Sequence, residues 1–377
     1  MQSKYGQRWQ FERNDNICSH NSTNEEEKVI LLWTQFFHGN WEDHFKYFNN
    51  SQHVEIENCK RCRFITDKIL LYLSDAVIFH LFNLKQERVP LSRSPNQLWI
   101  INSWESPEND NWDILKIGNK GHIKFNWSMT YHKNSDIYIP YGEVRMSHDP
   151  SRLPEIRKRI ESFVDDFSQR TFDAVWIASN LNPKNKRGEI IRQLLNHNIS
   201  VDHWGRTRSP DEEWESSENG EIDFYRNYRF VIAMENTNCE DYISEKAFHA
   251  FYASFVSGAI PVVFGGGNYS DFFPYGSYLD LRNFKSTAEL AETMKLMSKP
   301  ENKHLVQPFY NWHIDVNPDY AEGMELRNGL YQHDYSKRPA WRLLCDKLWN
   351  DDQKESKVTK DPRGTCFQTP KNYLVGS

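Results

Sequence analysis

Two short stretches of this chain carry residue types that can do chemistry. The first runs from Glu235 to Lys246 and reads ENTNCEDYISEK; it holds Glu235, Asn236, Tyr242, Glu245 and Lys246. A lysine in the first turn of a helix adds a mobile positive charge where backbone N–H groups and the helix dipole already favour an anion. Glu245 and Asn236 offer acceptors suited to ribose hydroxyls or guanine N–H groups. Together they suit a sugar nucleotide. A plainer reading has Glu245 and Asp241 capping the helix and Lys246 solvated, and the residue types alone leave both open. The second stretch is Ser103-Trp104-Glu105-Ser106-Pro107. It puts a carboxylate just past an apolar run, where α/β sheets carry their reactive groups. An ordinary exposed turn acid would read the same.

The elements around these residues explain how they would be held. Phe230 to Met234 is an apolar run of strand length. Ala247, Phe248, Phe251, Tyr252, Phe255 and Val256 then recur as one helical face, and Gly258 stands where a helix ends. Ile260 to Phe264 reads as a second, buried strand. Strand, helix and strand make a βαβ unit of a parallel sheet, and ligands bind beyond the carboxyl ends of such strands. A similar unit lies upstream. Phe172 to Ala178 is its first strand, Ser179-Asn180 its turn and Val201 the start of its next strand. Between them Arg187 opens a helix with Ile190, Ile191, Leu194 and Leu195 inward, and Lys184 and Lys186 read as solvated. Val29 to Trp33, Ala76 to Phe82 and Gln97 to Asn102 are strands of an earlier α/β domain. Leu153, Ile156, Ile160, Phe163, Val164 and Phe167 predict a helix from about Ser151 that bridges the two. Ser286-Thr287-Ala288-Glu289 is a capping box, and Trp341, Leu344, Cys345 and Leu348 mark a last helix. Residues 206–228 read as an exposed loop.

Composition narrows the function classes. A chain of 377 residues is long enough for two domains. Its formal charge of −6, with acids and bases interspersed, excludes a nucleic-acid footprint. The 13 tryptophans serve either as sugar-stacking faces or as core. No apolar run approaches the roughly 18 to 20 residues of a membrane span, and no signal peptide is visible. The cysteines are Cys18, Cys59, Cys62, Cys239, Cys345 and Cys366. Cys59 and Cys62 form a C-x-x-C, but a zinc site needs a second such pair, so the six read as structural. Sequons at Asn21, Asn49, Asn126, Asn198 and Asn268 are compatible with secretory-pathway exposure.

Several segments resemble the α1,3/4-fucosyltransferase family. They are FVIAMENT, DYISEK and GAIPVVFGGGNYSDFFP around the first stretch, and QLWIINSWESP around the second. Phe125 to Gly142 resembles the family's F-N-W-T-x-x-Y-R and S-D-I-x-x-P-Y-G segment, with His132 in place of the arginine. The likeness runs from about residue 29 to 312. It implies a GT-B architecture, two Rossmann-like α/β domains facing across a cleft. The expected organisation is a stem at 1–28 and an acceptor-binding domain at 29–150. An inter-domain helix at 151–170, a GDP-fucose-binding domain at 171–337 and a C-terminal helix and tail at 338–377 follow.

The implied activity is inverting transfer of L-fucose from GDP-β-L-fucose to a glycan hydroxyl, the 3-OH of N-acetylglucosamine. The family pattern makes Glu105 the general base. It makes Arg187 a partner of the donor pyrophosphate, and Glu235, Asn236, Tyr242, Glu245 and Lys246 donor-binding. With no D-x-D motif ending a strand, no cofactor is required, although divalent ions could stimulate. The partners implied are GDP-fucose, a glycan or glycoprotein acceptor and the Golgi membrane, reached through an anchor absent from this chain. A glycan-binding protein on an inactive transferase scaffold, or a GT-B enzyme with another donor, would share the frame. In GT-B folds the last helix returns to the first domain, which implies pairing of Cys59 and Cys62 with Cys345 and Cys366.

Overall fold

A computed structural model describes residues 27–39, 41, 53–55, 60–85, 87–110, 112–115, 123–142, 150–205, 220–315, 339–350, 357–358 and 362–374. Cys18, Cys59, Asn21, Asn49 and most of the 206–228 loop lie outside them.

The first sheet contains Glu27–Leu32 (β1), His53–Glu55 (β2), Arg61–Ile65 (β3), Ala76–His80 (β4) and Leu98–Ser103 (β5). Lys124–Phe125 (β6) lies beside it, and Trp127–Thr130 (β7) and Ile137–Tyr138 (β8) complete it. The order is β2-β3-β1-β4-β5-β7-β8, parallel except for the edge strand β2. Every residue of β4 and β5 is buried, as strands covered on both faces must be. That is why both read as unbroken apolar runs. β4 stops at His80, two residues short of the expected Phe82, because the chain turns there into a 3₁₀ segment, Leu81–Lys85.

The second sheet contains Phe172–Ile177 (β9), Val201–Trp204 (β10), Tyr228–Met234 (β11), Ile260–Phe264 (β12) and Leu279–Asp280 (β13). All its pairings are parallel, in the order β10-β9-β11-β12-β13. The order reverses between β9 and β11. Ligands of open α/β sheets bind at such a switch point, past the strand ends.

Helices cover these sheets. Leu153–Phe167 (α1) turns Ile156, Ile160, Phe163 and Phe167 into the core of the second sheet, so the expected bridging helix packs with the second unit. Arg187–Asn196 (α2) buries Ile190, Ile191 and Leu194, but Leu195, on the flank of that apolar stripe, is 48% exposed. Gly220–Arg226 (α3) replaces part of the expected loop and buries Phe224 and Tyr225. Glu245–Ser257 (α4) ends at Gly258, whose φ of 73° is the left-handed conformation glycine adopts most easily. Thr287–Met297 (α5) starts at Ser286, whose side chain accepts from Glu289 N. Pro339–Asn350 (α6) returns to the first sheet, where Trp341 packs with Phe64 and Trp41.

Two disulfides join the described cysteines. Cys62 pairs with Cys345, tying β3 to α6 across 283 residues of sequence. Cys366 pairs with Cys239 rather than with the C-x-x-C, because the tail leaves the first sheet after Lys357–Val358 (β14), which pairs with β6, and crosses to the second. Both bridges close long loops, and a disulfide typically contributes about 2 to 4 kcal/mol. Non-reducing peptide mapping should recover Cys62 with Cys345 and Cys239 with Cys366. Cys345→Ser should lower the unfolding free energy by about that amount in denaturant titration. A map joining Cys62 to Cys366 would contradict this connectivity.

Candidate active site

Glu105 stands just beyond β5, at the carboxyl edge of the first sheet. The turn that carries it is fixed by Ser103, whose Oγ donates to Glu105 O at 3.2 Å and also bonds Asp110. Asn109 and Asp110 N–H groups close the turn on Ser106 O. Beside it, the Tyr141 ring meets those of Trp104 and Tyr131, and the Tyr141 hydroxyl donates to Trp104 O. Burial raises the Glu105 pKa above its ordinary value, and the charge of Lys246 works against that rise.

The loop from Glu235 to Ser244 approaches this carboxylate from the second sheet. Tyr242 OH donates to Glu105 Oε1 at 3.3 Å, and Asn236 Nδ2 lies 3.5 Å from Oε2. Tyr242 is buried, with its ring 5.0 Å from that of Tyr131. Further contacts join the same two surfaces. Lys133 N donates to Asp241 Oδ2 at 3.1 Å, and the Lys133 ammonium pairs with Asp241 and Asp271. His132, where the family pattern has arginine, places Nδ1 3.6 Å from Asp241 Oδ2. Lys184 is exposed, as expected, and also donates to Glu108 O.

Glu235 is fully buried within its own loop. Its carboxylate accepts from Ser244 N at 2.7 Å and Ser244 Oγ at 2.6 Å. It therefore caps the start of α4, a role Ser244's own side chain does not take. Burial raises its pKa, against the pull of Lys246. Lys246 donates to Ser244 Oγ at 3.1 Å and to Glu245 Oε1 at 2.6 Å, using two of the three donors an ammonium has. Burial opposes its charge, but the Glu245 and Glu235 carboxylates outweigh that and hold its pKa above the ordinary value. Glu245 and Lys246 are half-buried at the cleft.

Arg187 also departs from its expected place. It is buried, stacked against Trp176, and donates to Met234 O at 2.6 Å and Asn180 O at 2.9 Å. A guanidinium so used ties the loop after β9 to the end of β11. Burial lowers its pKa, while the Glu235 carboxylate favours its charge. Asn185 adds to this tie by donating to Glu235 O at 2.7 Å. Asn185 has no motif to announce it and escapes sequence reasoning. Gly265, Gly266 and Gly267 had a visible signal, but three glycines alone imply only a turn. Here they let the chain pass against the loop: a Cβ on Gly266 would lie 2.2 Å from Cys239 O, and one on Gly267 2.3 Å from Ile243 Cγ1.

A buried carboxylate at the edge of one parallel sheet meets the loop and helix start of another, at its switch point. That arrangement defines a glycosyltransferase of the GT-B type. The chain matches the model of glycosyltransferase family 10 (fucosyltransferase) C-term over residues 167–361, and that of fucosyltransferase, N-terminal, over residues 25–142. It is 29% identical over 296 residues to alpha-(1,3)-fucosyltransferase 7 of Rattus norvegicus, covering 75% of this chain and 69% of the relative. It is 30% identical over 298 residues to 4-galactosyl-N-acetylglucosaminide 3-alpha-L-fucosyltransferase 9 of Mus musculus, covering 77% and 72%. A crystal structure of an alpha1,3-fucosyltransferase with GDP-fucose is similar at a TM-score of 0.49 and 15% identity, covering 89% of this chain and 94% of that one. The chain belongs to glycosyltransferase family 10, the fucosyltransferases.

Gly266→Ala should therefore destabilise the fold by about 1 to 3 kcal/mol, the usual cost of overpacking, since the obstructing atoms are backbone. Gly364→Ala, with nothing within 4 Å of its added Cβ, should be close to neutral. Equal melting temperatures for the two variants would refute the close approach.

Proposed function

We propose that this enzyme transfers L-fucose from GDP-β-L-fucose to a glycan hydroxyl, the 3-OH of N-acetylglucosamine, with inversion. The observation that carries it is the meeting of Glu105 with Asn236 and Tyr242, from the loop that ends at Lys246. In one displacement the acceptor oxygen bonds the anomeric carbon as the bond from that carbon to the phosphate oxygen breaks. The proton passes to the Glu105 carboxylate, and the electron pair leaves with GDP. A sugar hydroxyl is too weak an acid to ionise first, so proton transfer accompanies bond formation. The raised proton affinity of Glu105 suits it to that step.

Lys246 receives the pyrophosphate charge by turning from Glu245 to the phosphate. Glu245, once released, faces the ribose or the developing positive charge of the sugar. Arg187 supports the anion from behind the loop through its charge. Glu235 acts on the donor through Ser244 and the start of α4. Lys246 supplies the leaving-group charge that a metal supplies elsewhere, so full activity in a chelator is expected. The relatives' names support the linkage. Disulfides fit an oxidising compartment, which we take to be the Golgi lumen. Among the described residues no helix is long and apolar enough to cross a membrane.

Glu105→Gln keeps the side chain's size but cannot accept the proton. It should lower kcat by at least about 100-fold while leaving GDP affinity within a few-fold. A rise in acceptor KM with kcat unchanged would make Glu105 a positioning residue only. Lys246→Ala should weaken GDP binding about tenfold or more, read by calorimetry. The same variant tests the electrostatics. Glu105 must be deprotonated to act, burial raises its pKa and Lys246 lowers it. The acid limb of kcat/KM should thus lie above the pH of a free glutamate and move still higher in Lys246→Ala. A limb that stays put would separate the two charges.

A further inference from the structure

Residues 362–374 lie beyond the family match that ends at residue 361, yet they line the back of the donor loop. Cys366 is bonded to Cys239 in the middle of that loop. On either side, Glu240 N donates to Thr365 O at 3.2 Å and Phe367 N to Asn238 O at 2.9 Å. Upstream the tail is fixed to the first domain, where Arg363 forks onto Asp113 at 3.0 and 2.9 Å. Downstream it is fixed to the second, where Thr287 Oγ1 donates to Tyr373 O at 2.8 Å and Tyr373 OH to Phe284 O at 3.2 Å.

Thr369 sits at the centre of this run and is buried. Its hydroxyl accepts from Asn238 Nδ2 at 2.9 Å and donates to Asn185 O. Asn185 Nδ2 in turn donates to Glu235 O at 2.7 Å and Asn238 Oδ1 at 3.1 Å. One hydroxyl thus joins the loop after β9 to the loop after β11, on the two sides of the switch point. The glycine turn presses on Cys239 from its other side. The donor loop is held between them.

We propose that Thr369 is a positioning residue for the donor site. With the Cys239–Cys366 bridge, it sets the affinity for the nucleotide part of the donor without touching it. The proposal rests on the assignment of GDP-fucose to this loop. Thr369 is distant in sequence from that loop, and only the tail's path brings it there.

The test uses the full chain, GDP calorimetry and steady-state transfer, all well below the melting temperature of each variant. Thr369→Val keeps the shape but leaves Asn238 Nδ2 and Asn185 O without their shared partner. It should weaken GDP binding and raise the donor KM about tenfold each, with acceptor KM within about twofold. Thr369→Ser keeps the hydroxyl and should restore both. The double variant Cys239→Ser, Cys366→Ser should weaken GDP binding as well. Adding Thr369→Val to it should cost less than it does alone, because coupled groups are not additive. If Thr369→Val does not fold, Thr369→Ala, which removes the hydroxyl without adding a methyl group, carries the same test. Wild-type GDP affinity in Thr369→Val beside a lowered melting temperature would show a merely structural role and overturn the proposal. So would a change confined to acceptor KM. A wild-type enzyme that binds no GDP would instead remove the donor assignment itself, and the proposal with it.

Discussion

A fully buried carboxylate fixes the centre of this enzyme. Glu235 is fully buried, and burying an ion is costly unless it is paired and hydrogen-bonded. Ser244 meets that requirement with its N–H and its hydroxyl, and Lys246 supplies the opposite charge nearby. The loop between Glu235 and Ser244 is thereby closed on itself. Its closure aims Tyr242 and Asn236 at Glu105 on the other sheet. A pocket of charge in one domain sets the surroundings of the Glu105 carboxylate in the other.

The charges of the site also form a balanced set. Lys246 lies between Glu235 and Glu245, and Arg187 lies behind them. Glu245 holds the Lys246 ammonium, the group proposed above to receive the donor phosphate. The neighbouring carboxylates keep this cation charged although it is buried. Preorganised charge of this kind is the largest single contribution in many enzymes.

Much of this was legible in the sequence, and the limits have physical causes. β4, β5 and β12 are buried on both faces, so their composition announces them. The start of α4 was legible because chemistry and helix signals coincide there. Side-chain direction was not. Glu235 and Arg187 lie in the right motifs but turn inward, since backbone groups at a helix start and at a strand end need partners and these side chains provide them. The pairing of Cys366 with Cys239 could not be read either, because it depends on where the tail crosses between sheets. Asn185 and Thr369 belong to no pattern, and only the meeting of distant segments gives them a role.

The return of α6 to the first sheet has a consequence for how the chain is made. β1 and β3 leave the ribosome early, but the helix that covers their apolar face, with Trp341 and Cys345, comes near the end. The first domain therefore cannot finish folding in order of synthesis. Its open face must wait while the whole second domain is built, a state in which exposed apolar surface invites aggregation. Folding helpers that shield such a face, and an oxidant that seals Cys62 to Cys345 only at the end, become part of the enzyme's biogenesis.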